Sequence, residues 1–220
     1  MKKRTYIFLG IGLLAATLTT SCEKDNTNYE LMYPSALVTV KPNADNSSFV
    51  LQLDDKTVLK PVNMDKSPYG TKEVRALVNF RETAPNEVHI NWLDSILTKK
   101  TVANLGAEEN SKAYGEDPIE IVNDWVTVAE DGYLTLRFRT YWGAKKHAVN
   151  LVCDGDDTNP YHVTFYHNAN QDFHDRIGDG IVAFRLSDLP DTEGKTVDLT
   201  LEWVSFSGKK KTTFKYCSRP

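Results

Sequence analysis

Tyr133-Leu134-Thr135-Leu136-Arg137-Phe138-Arg139-Thr140-Tyr141-Trp142 decides the fold class. Side chains of a strand point alternately to opposite faces. As a strand, this stretch puts Leu134, Leu136, Phe138 and Trp142 on one face and Tyr133, Thr135, Arg137, Arg139 and Tyr141 on the other. A helix would scatter the apolar residues around its circumference, so the period of two argues for a half-buried strand.

The same period runs outward in both directions. Asp131-Gly132 just upstream is a turn signal that joins Asp124–Ala129 to this strand as a hairpin. Downstream, further strands are expected at His147–Cys153, Tyr161–His167, Gly180–Leu186, Thr196–Ser205 and Thr212–Cys217. Seven strands with one apolar face each predict a sandwich over residues 119–218. Upstream, Val38 and Val40, then Phe49, Leu51 and Leu53, then Val74, Ala76, Val78 and Phe80, then Val88, Ile90 and Trp92 alternate with their neighbours; Thr57–Lys60 lies between. Turn formers bound each run. Five short strands predict a small OB-like barrel over residues 35–102. Residues 103–118 are polar, contain Gly and lack a period of two, which predicts a linker. The fold class is therefore all-β, a small barrel followed by a sandwich.

The first residues carry a different signal. Lys2-Lys3-Arg4 precede an uncharged, mostly apolar run from Tyr6 to Leu18. Thirteen helical residues reach roughly 20 Å, short of the ~30 Å hydrocarbon core. The run ends in Thr19-Thr20-Ser21-Cys22, small residues before a cysteine. This reads as a lipoprotein signal peptide over residues 1–21, with Cys22 lipidated. Thr19 stands where Leu is usual in such a junction. Residues 22–34 are then a polar tether to the membrane. Glu23-Lys24-Asp25-Asn26 resembles an export signal for the outer face of the outer membrane, so a lipid-anchored, surface-exposed location is the expectation.

Charge narrows the partners. Residues 1–21 hold three of the 26 Lys and Arg and none of the 30 Asp and Glu, leaving 23 against 30. A net −7 argues against a nucleic-acid backbone as partner and offers no basic patch for anionic lipid.

Chemistry-bearing residues are sparse. Cys153 and Cys217 end β-like runs, so a disulfide and two separate thiols are both open. His162 and His167 sit at odd separation in one strand and face opposite sides. His167 could meet His174 and Asp172 or Asp175 through the loop, although loop spacing alone fixes no metal geometry. Asp154-Gly155-Asp156-Asp157 clusters carboxylates as calcium prefers, but Asp and Gly also make turns. No cofactor and no catalytic residues are assigned. The face Tyr133, Arg137, Arg139 and Tyr141 is the candidate ligand surface. Rings stack on sugars, and guanidinium groups pair with carboxylates or sulfates. A solvated outer sheet face is the plain alternative.

Several strings together resemble one family. They are Val88-His89-Ile90-Asn91-Trp92-Leu93-Asp94-Ser95-Ile96-Leu97-Thr98-Lys99, Asp131-Gly132-Tyr133-Leu134-Thr135-Leu136 and Thr140-Tyr141-Trp142-Gly143, with Asn159-Pro160-Tyr161 and His167-Asn168-Ala169. Leu189-Pro190-Asp191-Thr192, Lys195-Thr196-Val197 and Trp203-Val204-Ser205-Phe206-Ser207-Gly208 complete the set. In this order they are similar to the NigD-like lipoproteins of Bacteroidota. The resemblance implies an N-terminal OB-like domain and a C-terminal β-sandwich behind a lipoprotein signal, and supplies no catalytic residues. The family name comes from a bacteriocin-associated operon. Three functions are thus weighed: a non-enzymatic surface module binding a glycan or a protein, a bacteriocin self-protection protein, and a hydrolase with a site assembled from loops.

Overall fold

A computed structural model describes residues 31–173 and 176–219. The signal peptide, Cys22 and the Glu23–Asn26 stretch lie outside the described residues. Five strands, β1 (Ala36–Pro42), β2 (Phe49–Gln52), β3 (Val58–Pro61), β4 (Val74–Ala84) and β5 (Glu87–Ser95), close into a barrel in the order β1-β2-β3-β5-β4. Its core is Val38, Val40, Phe49, Leu51, Ala76, Val78, Val88 and Ile90 from the alternating runs, together with Leu59; Trp92, expected with Val88 and Ile90, is outside this cluster and donates from its indole N–H to the Leu31 carbonyl at 2.6 Å.

Two sheets form the sandwich. One contains β6 (Leu97–Lys100), β12 (Ile177–Arg185), β9 (Tyr133–Tyr141) and β7 (Glu120–Ile121), with β8 (Val128–Glu130) also on β9. The other runs β10 (Ala148–Cys153), β11 (His162–Asn168), β13 (Val197–Ser205) and β14 (Gly208–Tyr216). Leu134, Leu136 and Phe138 meet Leu151, Phe165, Leu199, Leu201 and Trp203 in the space between. The β8–β9 hairpin turns through Asp131 and Gly132, both at positive φ, with Glu130 opposite Tyr133. That is the two-residue turn whose twist matches the flanking strands.

Two elements depart from expectation. Leu97–Lys100 falls within the stretch read as barrel, yet β6 pairs in parallel with Val182–Arg185 of β12 and belongs to the sandwich. The stretch read as a linker holds α1 (Ala107–Tyr114). It has no apolar stripe; its one buried residue is Asn110, which accepts from Leu105 N–H at 2.8 Å and donates to Asn104 at 3.0 Å. An eight-residue helix held by polar side chains carries no hydrophobic period to detect.

The barrel sits on the outer face of β9. Arg75 of β4 is fully buried there and donates to Thr39 at 3.0 Å, to Thr135 at 3.4 Å and to Glu130. The Tyr133 hydroxyl donates to Glu73 at 2.6 Å, and Arg185 and Arg219 also reach Glu73, at 3.0 and 2.8 Å. The Arg185 and Arg219 guanidinium carbons each lie 5.4 Å from the Tyr133 ring centre. Burial, then the bond to Glu73, pushes the Tyr133 phenol up to about 12. Burial pulls Glu73 upward, but the hydrogen bonds from Tyr133 and Arg219 outweigh it and hold the carboxyl below its usual range.

Candidate functional site

Beyond the barrel, the outer face of β9 is exposed at Arg139 and Tyr141. Arg137 donates to Asp124 at 2.7 Å and to Asp179 of β12 at 3.0 Å; Arg139 donates through Nε to Asp179 at 2.7 Å. The hydrogen bonds from Arg139 and then Arg137 hold the Asp179 carboxyl below its usual value. These groups are solvent-accessible, so their pairing contributes little to stability and mainly fixes the guanidinium planes. The next row outward is apolar. Tyr141 stands opposite Ile177 across the β9–β12 pair and meets Phe206 of the β13–β14 turn edge-on, ring centres 5.3 Å apart. Tyr141, Phe206 and Ile177 are 41, 48 and 66% exposed. Three large apolar side chains in one contiguous strip mark a contact surface more than scattered ones would.

Of the four residues read as one ligand surface, the structure keeps Arg137, Arg139 and Tyr141 together and removes Tyr133. Tyr133 is fully buried beneath the barrel, held by Glu73 and Arg185. Strand alternation gave the correct face, but it carries no information on which half another domain covers.

Behind this strip a cavity of about 330 Å³ opens between the sheets, lined by Leu97, Phe138, Thr140, Trp142, Lys146, His147 and Gly180 among others. Trp142, expected in the core with Leu134, is instead 42% exposed just past the end of β9 and stacks on His147 at 5.5 Å. His147 Nδ1 lies 2.9 Å from His167 Nε2, and His167 Nδ1 lies 3.1 Å from the Asp117 carbonyl. The carbonyl can only accept, so His167 donates from Nδ1 and accepts at Nε2 from His147. Burial keeps His167 below the usual histidine range. His147 Nε2 is buried with no hydrogen-bond partner among the described residues and lies 3.4 Å from Asp172 Oδ2. Asp172 in turn accepts from Gly143 and Lys145 N–H at 2.9 Å each, which fixes the loop after Trp142. The sequence reading paired His167 with Asp172 through the loop; the structure places His147 between them, and His174 and Asp175 lie outside the described residues.

The other candidates resolve locally. Asp154 accepts from His162 and from Thr164, both at 2.7 Å, and Asp156 accepts from Thr158 and Asn159 N–H at 2.8 and 2.9 Å. A Cβ on Gly155 would lie 2.6 Å from the Asn159 carbonyl, so this loop is a tight turn that requires glycine. Among the described residues no three His, Cys, Asp or Glu side chains are placed to hold a metal ion. Cys153 and Cys217 are free thiols, and burial, then Asp188, pushes Cys153 up to about 11.

Comparison with known proteins places this geometry in a wider set. Residues 37–96 match the NigD-like N-terminal OB domain and residues 101–216 the NigD-like C-terminal beta sandwich domain. A crystal structure from Parabacteroides distasonis, described as toxin-related, is 41% identical, with TM-score 0.71 over 83% of this chain and 92% of its own. A protein of unknown function from Bacteroides vulgatus is 20% identical (TM-score 0.64, 82% and 89% covered). A NigD-like immunity protein from Bacteroides caccae is 19% identical (TM-score 0.61, 83% and 96% covered). The last two show likeness of fold. No curated protein matches the sequence.

Proposed function

The chain belongs to the NigD-like family, and from that premise we propose that it is a lipid-tethered, non-enzymatic binding module of the outer membrane. Its recognition surface is the end of the sandwich remote from the barrel. The observation that carries this reading is the exposed strip Tyr141, Ile177 and Phe206 beside Arg139, whose side chain is half exposed and held through Nε by Asp179. Aromatic rings beside an oriented guanidinium suit a glycan or a protein surface alike.

The layout of the chain supports a tether. Lys41 and Arg75 mark the barrel end that meets the sandwich, through Asp131 and Glu130. The incoming chain docks at the other end of the same strands, where Asn79 donates to the Tyr33 carbonyl and Ser35 N–H donates to Val78. No helix among the described residues is long and apolar enough to cross a membrane, and the lipid on Cys22 is the proposed anchor.

Two experiments test this reading. Cys22→Ser should move the protein from the membrane to the soluble fraction and abolish palmitate labelling; a labelled, membrane-bound mutant would refute the tether. Glycan arrays and envelope pull-downs with folded protein should give a ligand whose binding falls at least about tenfold in an Arg139→Ala/Tyr141→Ala/Phe206→Ala variant with unchanged melting. Blank screens, or capture indifferent to the variant, would count against the surface.

Self-protection against a bacteriocin is the second reading, favoured by the toxin-related description of the 41% identical protein. Deleting the gene should then sensitise the cell to toxins of its own strain.

A further inference from the structure

We propose that Leu31, Met32 and Tyr33, where the chain enters the barrel, make an apolar contact with the lipid bilayer itself, so that the barrel lies on the membrane surface. The inference rests on the reading of Cys22 as the lipidated anchor, and adds to that anchor a second, separate membrane contact.

The backbone of this segment is strapped to the barrel wall. The Trp92 indole N–H donates to the Leu31 carbonyl at 2.6 Å, and the Asn79 side-chain amide donates to the Tyr33 carbonyl at 2.9 Å. Ser35 N–H donates to the Val78 carbonyl at 2.7 Å, and Asn79 also donates to Ser35 Oγ at 3.0 Å. Asn79 and Trp92 stand opposite each other on β4 and β5, and neither belongs to the barrel core. The straps therefore hold the chain to the outside of these two strands by its carbonyl groups. The side chains are left outward: Leu31, Met32 and Tyr33 are 41, 59 and 69% exposed. Three consecutive large apolar residues held out in this way form a patch, where a single exposed one would mean nothing.

The length of chain before the patch selects its occupant. Leu31 is nine residues after Cys22. Fully extended, nine residues reach at most about 30 Å, so lipid on Cys22 keeps the patch within that distance of the bilayer. Tethering converts a weak bimolecular contact into an intramolecular one at high effective concentration. Three side chains are a small area for a free protein to hold a membrane by, but they need only orient one that is already attached.

The residue types suit the bilayer interface. Leu31 and Met32 supply apolar area, and Tyr33 joins a ring to a polar tip, which fits the headgroup level. With the Leu31 and Tyr33 carbonyls already hydrogen-bonded, less backbone polarity has to be stripped of water as the segment approaches hydrocarbon. None of the three side chains is charged, so the contact should be indifferent to lipid charge.

The test uses the full lipidated chain in phosphatidylethanolamine–phosphatidylglycerol nanodiscs, with methyl-labelled methionine. After removal of residues 1–21 the methionines are Met32, in the patch, and Met64, which packs against the barrel core and serves as the internal control. Lipids carrying a nitroxide near the top of the acyl chain should broaden the Met32 methyl signal away and spare Met64. Leu31→Ser/Tyr33→Ser keeps the probe, both strapped carbonyls and Cys22. It should restore the Met32 signal at least about threefold, because the contact scales with buried apolar area, with melting and palmitate labelling unchanged. Nanodiscs of phosphatidylcholine alone should broaden Met32 equally. Equal signals from Met32 and Met64, broadening unaffected by the double variant, or broadening confined to anionic lipid would overturn the apolar contact. A Met32 shift that follows protein concentration in the lipid-free Cys22→Ser chain would assign the patch to a second copy instead. A chain that carries no palmitate would overturn both readings; a palmitate-bearing chain whose Met32 signal stays as sharp as that of Met64 overturns this contact alone.

Discussion

Arg75→Ala is expected to destabilise the protein by about 3–5 kcal/mol, the cost of leaving a buried charge without its partner. Arg75 is fully buried where the barrel meets β9 and donates to Thr39, Thr135 and Glu130. Removing it strands the mostly buried Glu130 carboxylate and two hydroxyl groups. The effect should depend on pH, with a definite sign. Burial already holds the Glu130 carboxyl above its usual range, against the pull of Arg75. A carboxyl raised in the folded state takes up its proton before the unfolded chain does, so lowering the pH from neutral favours the folded form. Without Arg75 the carboxyl rises further, and the deficit of the variant shrinks at acidic pH. Urea midpoints of both proteins at neutral and mildly acidic pH measure this. A loss below about 1 kcal/mol, or one that grows on acidification, would show that the domain contact is not organised by this pair.

Phe184→Ala should cost a similar amount for a different reason. Phe184 is fully buried on β12, opposite Leu134, and meets Phe165 edge-on with ring centres 6.0 Å apart. Truncating it leaves a cavity between sheets that are pinned on both sides, so about 3–5 kcal/mol is expected. At 2–4 °C per kcal/mol for a chain of this size, the melting temperature should fall by roughly 6–20 °C. The loss should be independent of pH, which separates it from Arg75→Ala. A shift of a degree or two would mean that the sheets relax into the space.

Much of this architecture is legible in the sequence, because its signals are local. Alternation at Val38–Val40, Phe49–Leu53 and Leu134–Phe138 identifies the inward residues of both cores. Asp131-Gly132 announces its hairpin because both positions need positive φ. What escapes the sequence is set at long range. Tyr133 and Arg139 share one face of β9, but only the docking of Glu73 and Arg75, some 60 residues earlier, makes one interior and leaves the other exposed. Leu97–Lys100 falls within the bounds read as the barrel domain because nothing in it names its partner Val182–Arg185. α1 is silent because its buried residue is an asparagine. At the candidate site, Arg137, Arg139 and Tyr141 follow from alternation; Phe206, Ile177 and Asp179 are brought to them by pairing of distant strands. His147 was missed for the same reason, lying 20 residues from His167 in sequence and 2.9 Å from it in space.

The central claim is that the sandwich end carrying Tyr141 and Phe206 is where this protein meets its partner. Site-specific photo-crosslinking in living cells tests it most directly. A photoreactive residue at Phe206 should give a discrete higher-mass adduct, and one at Arg81, on the exposed part of the β4–β5 hairpin, should give none. No adduct at Phe206, or equal adducts at both positions, would contradict the account.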